Sequence, residues 1–308
     1  MSTILITGGS GFIGSHLVDA LIARGDQVTI VDILPAHPVW GNTQAVYVQR
    51  DIRDEHLADV FIDAKPEYVI HLAAHIDDRA SVREPVENAE HNILGTINVL
   101  DAARLSGVKR VVFASTGVVY GDQDILPIAE DAVPKPLTPY AVSKLTGERY
   151  LRYFTLQLGL SACALRLANV YGPRQDGSKE CGAIAIFTKK LLGGEAPFLN
   201  GNGKTTRDYI YIEDVVNAFL SALESSEETV VNIGTGTETS TEEIFSRVAE
   251  VVGTDIKPFP RPEIADLVAR VALSSLKAEK VFGWKSKKSI SEGIRETVEW
   301  YKNESMKL

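Results

Sequence analysis

The first thirty or so residues constrain this chain most. Thr3 to Thr7 is a short β-rich run, Gly8-Gly9-Ser10-Gly11-Phe12-Ile13-Gly14 follows, and apolar Leu17, Leu21 and Ile22 then mark a helix running to Gly25. That is strand, glycine turn, helix. Glycines at 8, 11 and 14 permit a tight turn, close approach of backbone to a pyrophosphate, and close packing of helix on strand. The phosphates then meet a helix N-terminus, where unpaired amides and the helix dipole favour negative charge. The next run, Val28 to Val31, ends in Asp32, about the twenty residues downstream that a dinucleotide site requires. A carboxylate there accepts hydrogen bonds from ribose hydroxyls and repels a 2'-phosphate, which predicts NAD rather than NADP.

Strands and helices keep alternating. Short strands are predicted at residues 45–48 and 68–72, with a helix between them after Asp51-Ile52; a long helix over 85–106 carries Ile93, Ile97 and Leu100 on one stripe. A strand at 109–114, a helix from Tyr140 to about Leu158 and a strand at 162–167 complete a first half. Further elements follow: helices at 184–192, 214–223, 242–252, 277–282 and 290–301, and strands at 197–199, 207–211 and 230–233. The fold class this order implies is α/β, a Rossmann-type doubly wound parallel sheet with a smaller C-terminal lobe. The first domain is expected to span residues 1–174, completed by segments near 207–252, and the lobe 175–308; with no low-complexity linker, the two are interwoven.

The predicted strand through Val111, Val112 and Phe113 ends in Ser115-Thr116, at the sheet edge where open α/β folds bind ligands. Thr138 suits an N-cap and Pro139 a first helical turn, so Tyr140 and Lys144, four apart, share one helix face. A hydroxyl, a phenol and an ammonium can converge there. Such a trio suits proton removal from an alcohol while hydride leaves the same carbon, because a fixed ammonium and a nicotinamide cation favour the phenolate. With ten tyrosines in the chain a chance Tyr-x-x-x-Lys is common, so the spacing counts only beside a dinucleotide site.

At 308 residues and 44% hydrophobic, the chain can bury a large core. A balance of 32 basic against 41 acidic side chains, formally −9, opposes non-specific attraction to nucleic acid or anionic lipid, so neither is expected as a partner. Positive charge for an anionic ligand must be local. Cys163 and Cys181 are too few for a disulfide scaffold or thiolate metal site, and the amino terminus shows no basic leader or long apolar span; a cytoplasmic protein is expected. His71 and His75 are four apart but straddle a strand end without a carboxylate motif, so no metal is predicted.

Taken together, these residues resemble the extended short-chain dehydrogenase/reductase family, and within it nucleotide-sugar epimerases of the UDP-glucose 4-epimerase type. The glycine turn with Ser15-His16-Leu17, Asp51-Ile52, His71-Leu72-Ala73-Ala74, Ser115-Thr116 before Val119-Tyr120-Gly121, Tyr140-x-x-x-Lys144, Asn169 to Gly172 and Arg207-Asp208-Tyr209 occur in family order. The resemblance implies that Gly8, Gly11 and Gly14, with the amides of Phe12 and Ile13, hold the NAD pyrophosphate, and that Asp32 holds the adenosine ribose. Asp51 and Ile52 contact adenine, and Leu72, Ala73, Ala74 and Asn92 line the NAD channel. Tyr140 is the implied base, Lys144 its electrostatic partner and a nicotinamide-ribose ligand, and Thr116 the hydroxyl assisting at the sugar. For the substrate it implies Asn169 and Arg207 at the sugar diphosphate and Phe198, Leu199 and Asn200 at the nucleotide base. Arg261 and Arg270 compete for a second diphosphate arginine, since Ser274 stands in the usual acidic place, and Val271 falls near the gatekeeper position, small enough to admit an N-acetyl group. A UDP-sugar partner and a homodimer pairing through the helices around 93–105 and 144–154 are also implied.

The activity implied is 4-epimerisation: transient oxidation at C4, a 4-keto sugar, and return of the same hydride to the opposite face, with NAD retained. Dehydratases of the family carry Asp-Glu directly after the catalytic threonine, and Gly117-Val118 stand there instead. A UDP-N-acetylhexosamine or UDP-uronate 4-epimerase and an NAD(P)-dependent nucleotide-sugar reductase use the same trio, although Asp32 disfavours NADPH. A dinucleotide-sensing binding protein is the non-enzymatic alternative; such proteins usually lose the tyrosine or lysine, and both are present.

Overall fold

In chain order, the computed structural model, which describes residues 1–177, 182–262 and 268–305, begins with β1 (Thr3–Thr7), α1 (Phe12–Ala23), β2 (Gln27–Asp32), β3 (Val46–Gln49), α2 (Leu57–Ala64) and β4 (Tyr68–His71). Then come α3 (Asp78–Arg83), α4 (Pro85–Ala89), a π-helical turn (Glu90–Leu94), α5 (Gly95–Leu105), β5 (Arg110–Thr116), α6 (Pro139–Leu158), β6 (Ala162–Leu167) and β7 (Asn169–Tyr171). The remainder comprises α7 (Ala183–Leu192), β8 (Phe198–Asn200), β9 (Thr206–Arg207), β10 (Tyr209–Tyr211), α8 (Ile212–Glu224), β11 (Val230–Ile233), β12 (Thr239–Ser240), α9 (Thr241–Val252), β13 (Phe259–Arg261), α10 (Leu276–Phe282) and α11 (Ile290–Ser305). Cys181 lies outside the described residues.

Seven strands form one parallel sheet in the order β11-β6-β5-β4-β1-β2-β3. The order reverses between β1 and β4, which opens a crevice at the carboxyl ends of those strands. Val111, Val112 and Phe113 are fully buried, as is Ile4-Leu5-Ile6 but for a trace, because helices cover both faces and the strands read as continuous apolar runs. Burying each such side chain contributes about 1.5–3 kcal/mol. One core lies under α1 and α8, with Leu17, Leu21, Ile30, Val112 and Phe219; the other lies under α2, α5 and α6, with Phe61, Val69, Leu100, Phe113 and Phe154. Among the described residues no helix is long and apolar enough to cross a membrane.

Two predicted elements are corrected. The helix expected over 85–106 contains a π turn at Glu90–Leu94, because Asn92 is drawn inward: its Oδ1 accepts from the His75 amide at 2.7 Å and its Nδ2 donates to the His75 carbonyl at 3.0 Å. The strand expected over 207–211 is two strands in two small sheets, β9 antiparallel to β12 and β10 parallel to β7. Asp208 divides them. Its buried carboxylate accepts from the amides of Thr235, Gly236 and Leu273, each at 2.9–3.0 Å, and burial pushes its pKa up against the pull of those hydrogen bonds. The short helix α3 follows β4 without a signal in the sequence reading; Asp77 caps it by accepting from the Ala80 amide.

Candidate active site

Gly8 has φ +77°, and a Cβ there would lie 2.6 Å from the Ala73 amide nitrogen. Only glycine fits. A Cβ on Gly14 would lie 2.3 Å from the Gly8 carbonyl oxygen, so the turn is wound as tightly as backbone permits. Gly11 is the N-cap of α1, and no side chain caps that helix, which leaves its first turn, with Phe12 and Ile13, to meet an anion. Asp32, at the end of β2, accepts from the Ser10 and Leu34 amides at 3.0 Å each, and burial raises its pKa. The geometry fits a dinucleotide: a cradle closed to any side chain, uncapped amides, and a carboxylate at the next strand end. The segment Leu72 to Ala74 borders the cradle, pinned by the Leu72 and Ala73 amides donating to the Thr7 carbonyl at 3.0 Å.

Farther along the same edge, the Asp51 carboxylate is held in a fork by Arg53 at 2.7–3.1 Å, and that hydrogen bond holds its pKa down. Ile52 is buried beneath Gly95, and the Asn98 amide donates to the Ile52 and Asp54 carbonyls at 2.7 and 2.9 Å. Asn98 was not singled out from sequence. Asn92, besides clasping His75, donates to Ser143 Oγ at 3.1 Å, so its amide is engaged within the fold.

Thr138 caps α6 by accepting from the Ala141 amide, and its hydroxyl also donates to the Asp78 carboxylate in a short hydrogen bond. Tyr140 begins the helix, and its amide donates to Ser81 Oγ at 3.1 Å, so α3 fixes the start of α6. One turn on, Lys144 is 3% exposed; its ammonium donates to the Ala114 carbonyl at 2.9 Å and lies 4.8 Å from the Phe113 ring centre. Burial pushes its pKa down to about 7, opposed by the Glu148 carboxylate. Thr116 closes β5, its Oγ1 accepting from the Val118 amide at 3.4 Å.

Behind the trio lies a buried polar cluster that the sequence reading passed over. Glu148 accepts from Ser115 Oγ at 2.5 Å and from Arg166 Nε and Nη2 at 2.9 and 2.7 Å, while the Arg166 guanidinium sits 4.6 Å from the Tyr120 ring centre. It ties α6 to β5 and β6. A signal existed: Glu148 stands four residues beyond Lys144, on the same helix face. His71 is fully buried, one ring nitrogen 2.6 Å from Thr7 Oγ1 and the other 3.0 Å from Thr96 Oγ1, and burial lowers its pKa to about 3. It therefore forms no pair with His75.

The substrate candidates fall into two groups. Arg207 is half-buried, donates among the described residues to the carbonyls of Thr206 and Ala269 at 2.7 and 3.3 Å, and has its pKa lowered by burial. A desolvated guanidinium held by carbonyls suits an anionic ligand. Arg270 is its neighbour, because residue 270 bridges to Thr206; its side chain is 61% exposed and forked onto Glu238 at 2.9 and 2.6 Å. The second group is β8 with β13: Phe198 is 43% exposed, Leu199 is buried, Asn200 is half-buried, and the Arg261 guanidinium stacks 3.2 Å from the Phe198 ring centre. An open groove lined by Gly201, Asn202, Lys204, Pro260, Arg261 and Pro262 adjoins them. Arg261 thus belongs with Phe198 and Arg270 with Arg207. Asn169 is exposed at the start of β7, its amide donating to the Asp208 carbonyl at 2.8 Å. Val271 is buried beside Arg270.

The chain is 40% identical over 310 residues to the UDP-glucose 4-epimerase of Mycolicibacterium smegmatis, covering 98% of this chain and 99% of that one. It superposes with a TM-score of 0.95 at 41% identity on UDP-glucose 4-epimerase of Thermotoga maritima with UDP-glucose, over 98% of this chain and 99% of that one. The Thermus thermophilus UDP-glucose 4-epimerase complex with NAD matches with a TM-score of 0.92 at 39% identity, over 97% and 98% of the two chains. The model of the NAD dependent epimerase/dehydratase family matches residues 4–234, and with full-length relatives at this identity the chain belongs to that family.

Proposed function

We propose that the protein is a nucleotide-sugar 4-epimerase of the UDP-glucose/UDP-galactose type. The observation that carries the reading is a buried lysine one helical turn beyond Tyr140, bonded to the strand that ends in Thr116. The cradle around Gly8 to Gly14 and Asp32 would hold NAD, which would supply the hydride acceptor and donor for C4 of the sugar. The chain does the rest. Gly8, Gly11, Phe12, Ile13 and Gly14 cradle the pyrophosphate, Asp32 holds the ribose, and Asp51, Ile52, Leu72, Ala73, Ala74 and Asn92 bound the cofactor cleft. Tyr140 accepts the C4 hydroxyl proton, Thr116 holds that oxygen in line, and the Lys144 ammonium stabilises the phenolate. The resulting 4-keto sugar turns about its diphosphate, anchored by Arg207 and Arg270, and takes proton and hydride back on its other face. The configuration at C4 inverts and no net redox change occurs.

In this reading residues 1–174, with segments near 207–252, hold NAD, and the rest of 175–308 closes over the nucleotide sugar, with Asn169 at the sugar and Phe198, Leu199 and Asn200 at the base. A homodimer is supported by Leu94, Leu105, Val142, Tyr153 and Leu156, all exposed apolar side chains along α5, α6 and the turn before them. The buried free thiol of Cys163 supports a reducing, cytoplasmic setting. The test is incubation of purified protein with UDP-glucose or UDP-galactose and no added cofactor. Interconversion is the expected result; turnover only with added NAD(P)H would make the protein a reductase, and conversion confined to the N-acetyl or uronate sugars would move the substrate class.

A further inference from the structure

We propose that His75, Glu87 and His91 form a binding site for a divalent transition-metal ion of the zinc class, which staples the segment after β4 to the helical run before α5. One ring nitrogen from each histidine and a carboxylate oxygen of Glu87 all lie within 4.8 Å of one another. Two imidazoles and one carboxylate are the donor set of an open zinc site, and nitrogen donors select against calcium and magnesium. Bonds of about 2.0–2.2 Å in tetrahedral geometry place donors roughly 3.3 Å apart. The three groups therefore need to close by no more than about 1.5 Å, a motion that side-chain torsions of half-buried His75 and His91 and exposed Glu87 supply.

Four features prepare these residues for an ion. His91 Nδ1 lies 2.9 Å from the Glu87 carbonyl, and because a carbonyl only accepts, Nδ1 carries the proton and Nε2 presents its lone pair. The His75 backbone is clasped by two buried asparagines, its carbonyl accepting from Asn88 and Asn92 and its amide donating to Asn92 Oδ1. His75 Nδ1 is buried and has no hydrogen-bond partner, and the Oδ1 of neighbouring Asn88 is likewise unpaired, so uncompensated polar atoms gather at this spot. The π turn at Glu90–Leu94 begins beside His91 and directs Asn92 inward, so the irregularity that clasps His75 also lies next to a ligand. The bland account, a tilted imidazole pair with centroids 5.6 Å apart beside an exposed carboxylate, explains the ring contact but leaves the buried Nδ1 orphaned.

The experiment equilibrates the full-length, NAD-loaded protein with Zn2+ and with Co2+, removes loose ion by desalting, and measures metal per chain, the Co2+ visible spectrum and the Tm. Retention of one ion per chain, the intense bands of four-coordinate Co2+ and a Tm raised by metal are the expected results. His91→Gln and Glu87→Gln should each weaken binding by about tenfold or more and abolish the Tm rise, with the metal-free Tm close to that of the parent. His56→Gln, at an exposed histidine beside Glu55 and Asp59, should bind as the parent does. If His91→Gln does not fold, Glu87→Gln carries the comparison. Absence of saturable binding at micromolar metal, undiminished affinity in Glu87→Gln, or loss of binding in His56→Gln overturns the proposal.

Discussion

Lys144 and Arg270 are both cations of the proposed site, and they are held in opposite ways. Lys144 is buried, fixed on a strand carbonyl, with the bonded Glu148–Arg166–Ser115 cluster behind it; Arg270 is largely exposed and rests on Glu238. The contrast extends along each side. On the dinucleotide side the glycine turn, Asp32 and His71 are locked by backbone contacts or paired hydrogen bonds. On the side proposed for the nucleotide sugar, Arg207 rests on carbonyls, Phe198 is partly bare, and Arg261 lies across it. A cofactor kept through many turnovers benefits from a preorganised bed. A substrate that must enter, turn and leave is better served by side chains whose present contacts are weak enough to exchange.

Replacing Tyr140 with Phe tests the rigid side hardest: kcat should fall about 10²–10⁴-fold while bound NAD per chain stays constant. Undiminished turnover removes Tyr140 from the chemistry, and loss of NAD makes its role structural. Next, Glu148→Ala strands the buried Arg166 guanidinium and should cost about 3–5 kcal/mol in urea unfolding. A loss below about 1 kcal/mol would mean the cluster does not hold α6 to the sheet.

His71 makes the rigid side sensitive to acid. Its folded pKa, about 3, lies below the ordinary histidine value of 6.5, so above pH 6.5 it is neutral in both states and contributes no slope. As pH falls from 6.5 towards 3 the unfolded chain takes up a proton that the folded chain refuses, and stability drops by up to about 1.4 kcal/mol per pH unit. Urea titrations at several pH values should show this slope reduced in His71→Gln; equal slopes would remove His71 as its source.

On the exchangeable side, Arg207→Met should raise the KM for a UDP-sugar by about 10–100-fold with NAD retained. An unchanged KM would break the assignment of Arg207 to the diphosphate. Glu238→Gln should have the smallest effect, freeing Arg270 and lowering KM by about twofold to fivefold. If KM rises instead, Glu238 is itself part of the bound state.

Much of this architecture was readable because it is written in short-range patterns. The glycine turn, the buried runs of β1 and β5, and the Thr138-Pro139 start of α6 each depend on residues within a turn or two of one another, and the strand and helix bounds agree closely with expectation. The failures lie where a distant polar group intervenes. The 207–211 strand is divided because Asp208 is claimed by amides at 235, 236 and 273, and the 85–106 helix is widened because Asn92 is claimed by His75. No local periodicity encodes those claims.

By itself the sequence determined the parallel α/β order, the place of the glycine turn and the seating of Tyr140 and Lys144 one turn apart on α6, since chain stiffness and apolar spacing act over a few residues. Only the tertiary structure decided which partners the charged groups acquire: buried Glu148 with Ser115 and Arg166, Arg207 with carbonyls, exposed Arg270 with Glu238, exposed Arg261 with Phe198. A buried polar group is costly until satisfied, and the groups that satisfy it are those that packing brings near, whatever their separation along the chain.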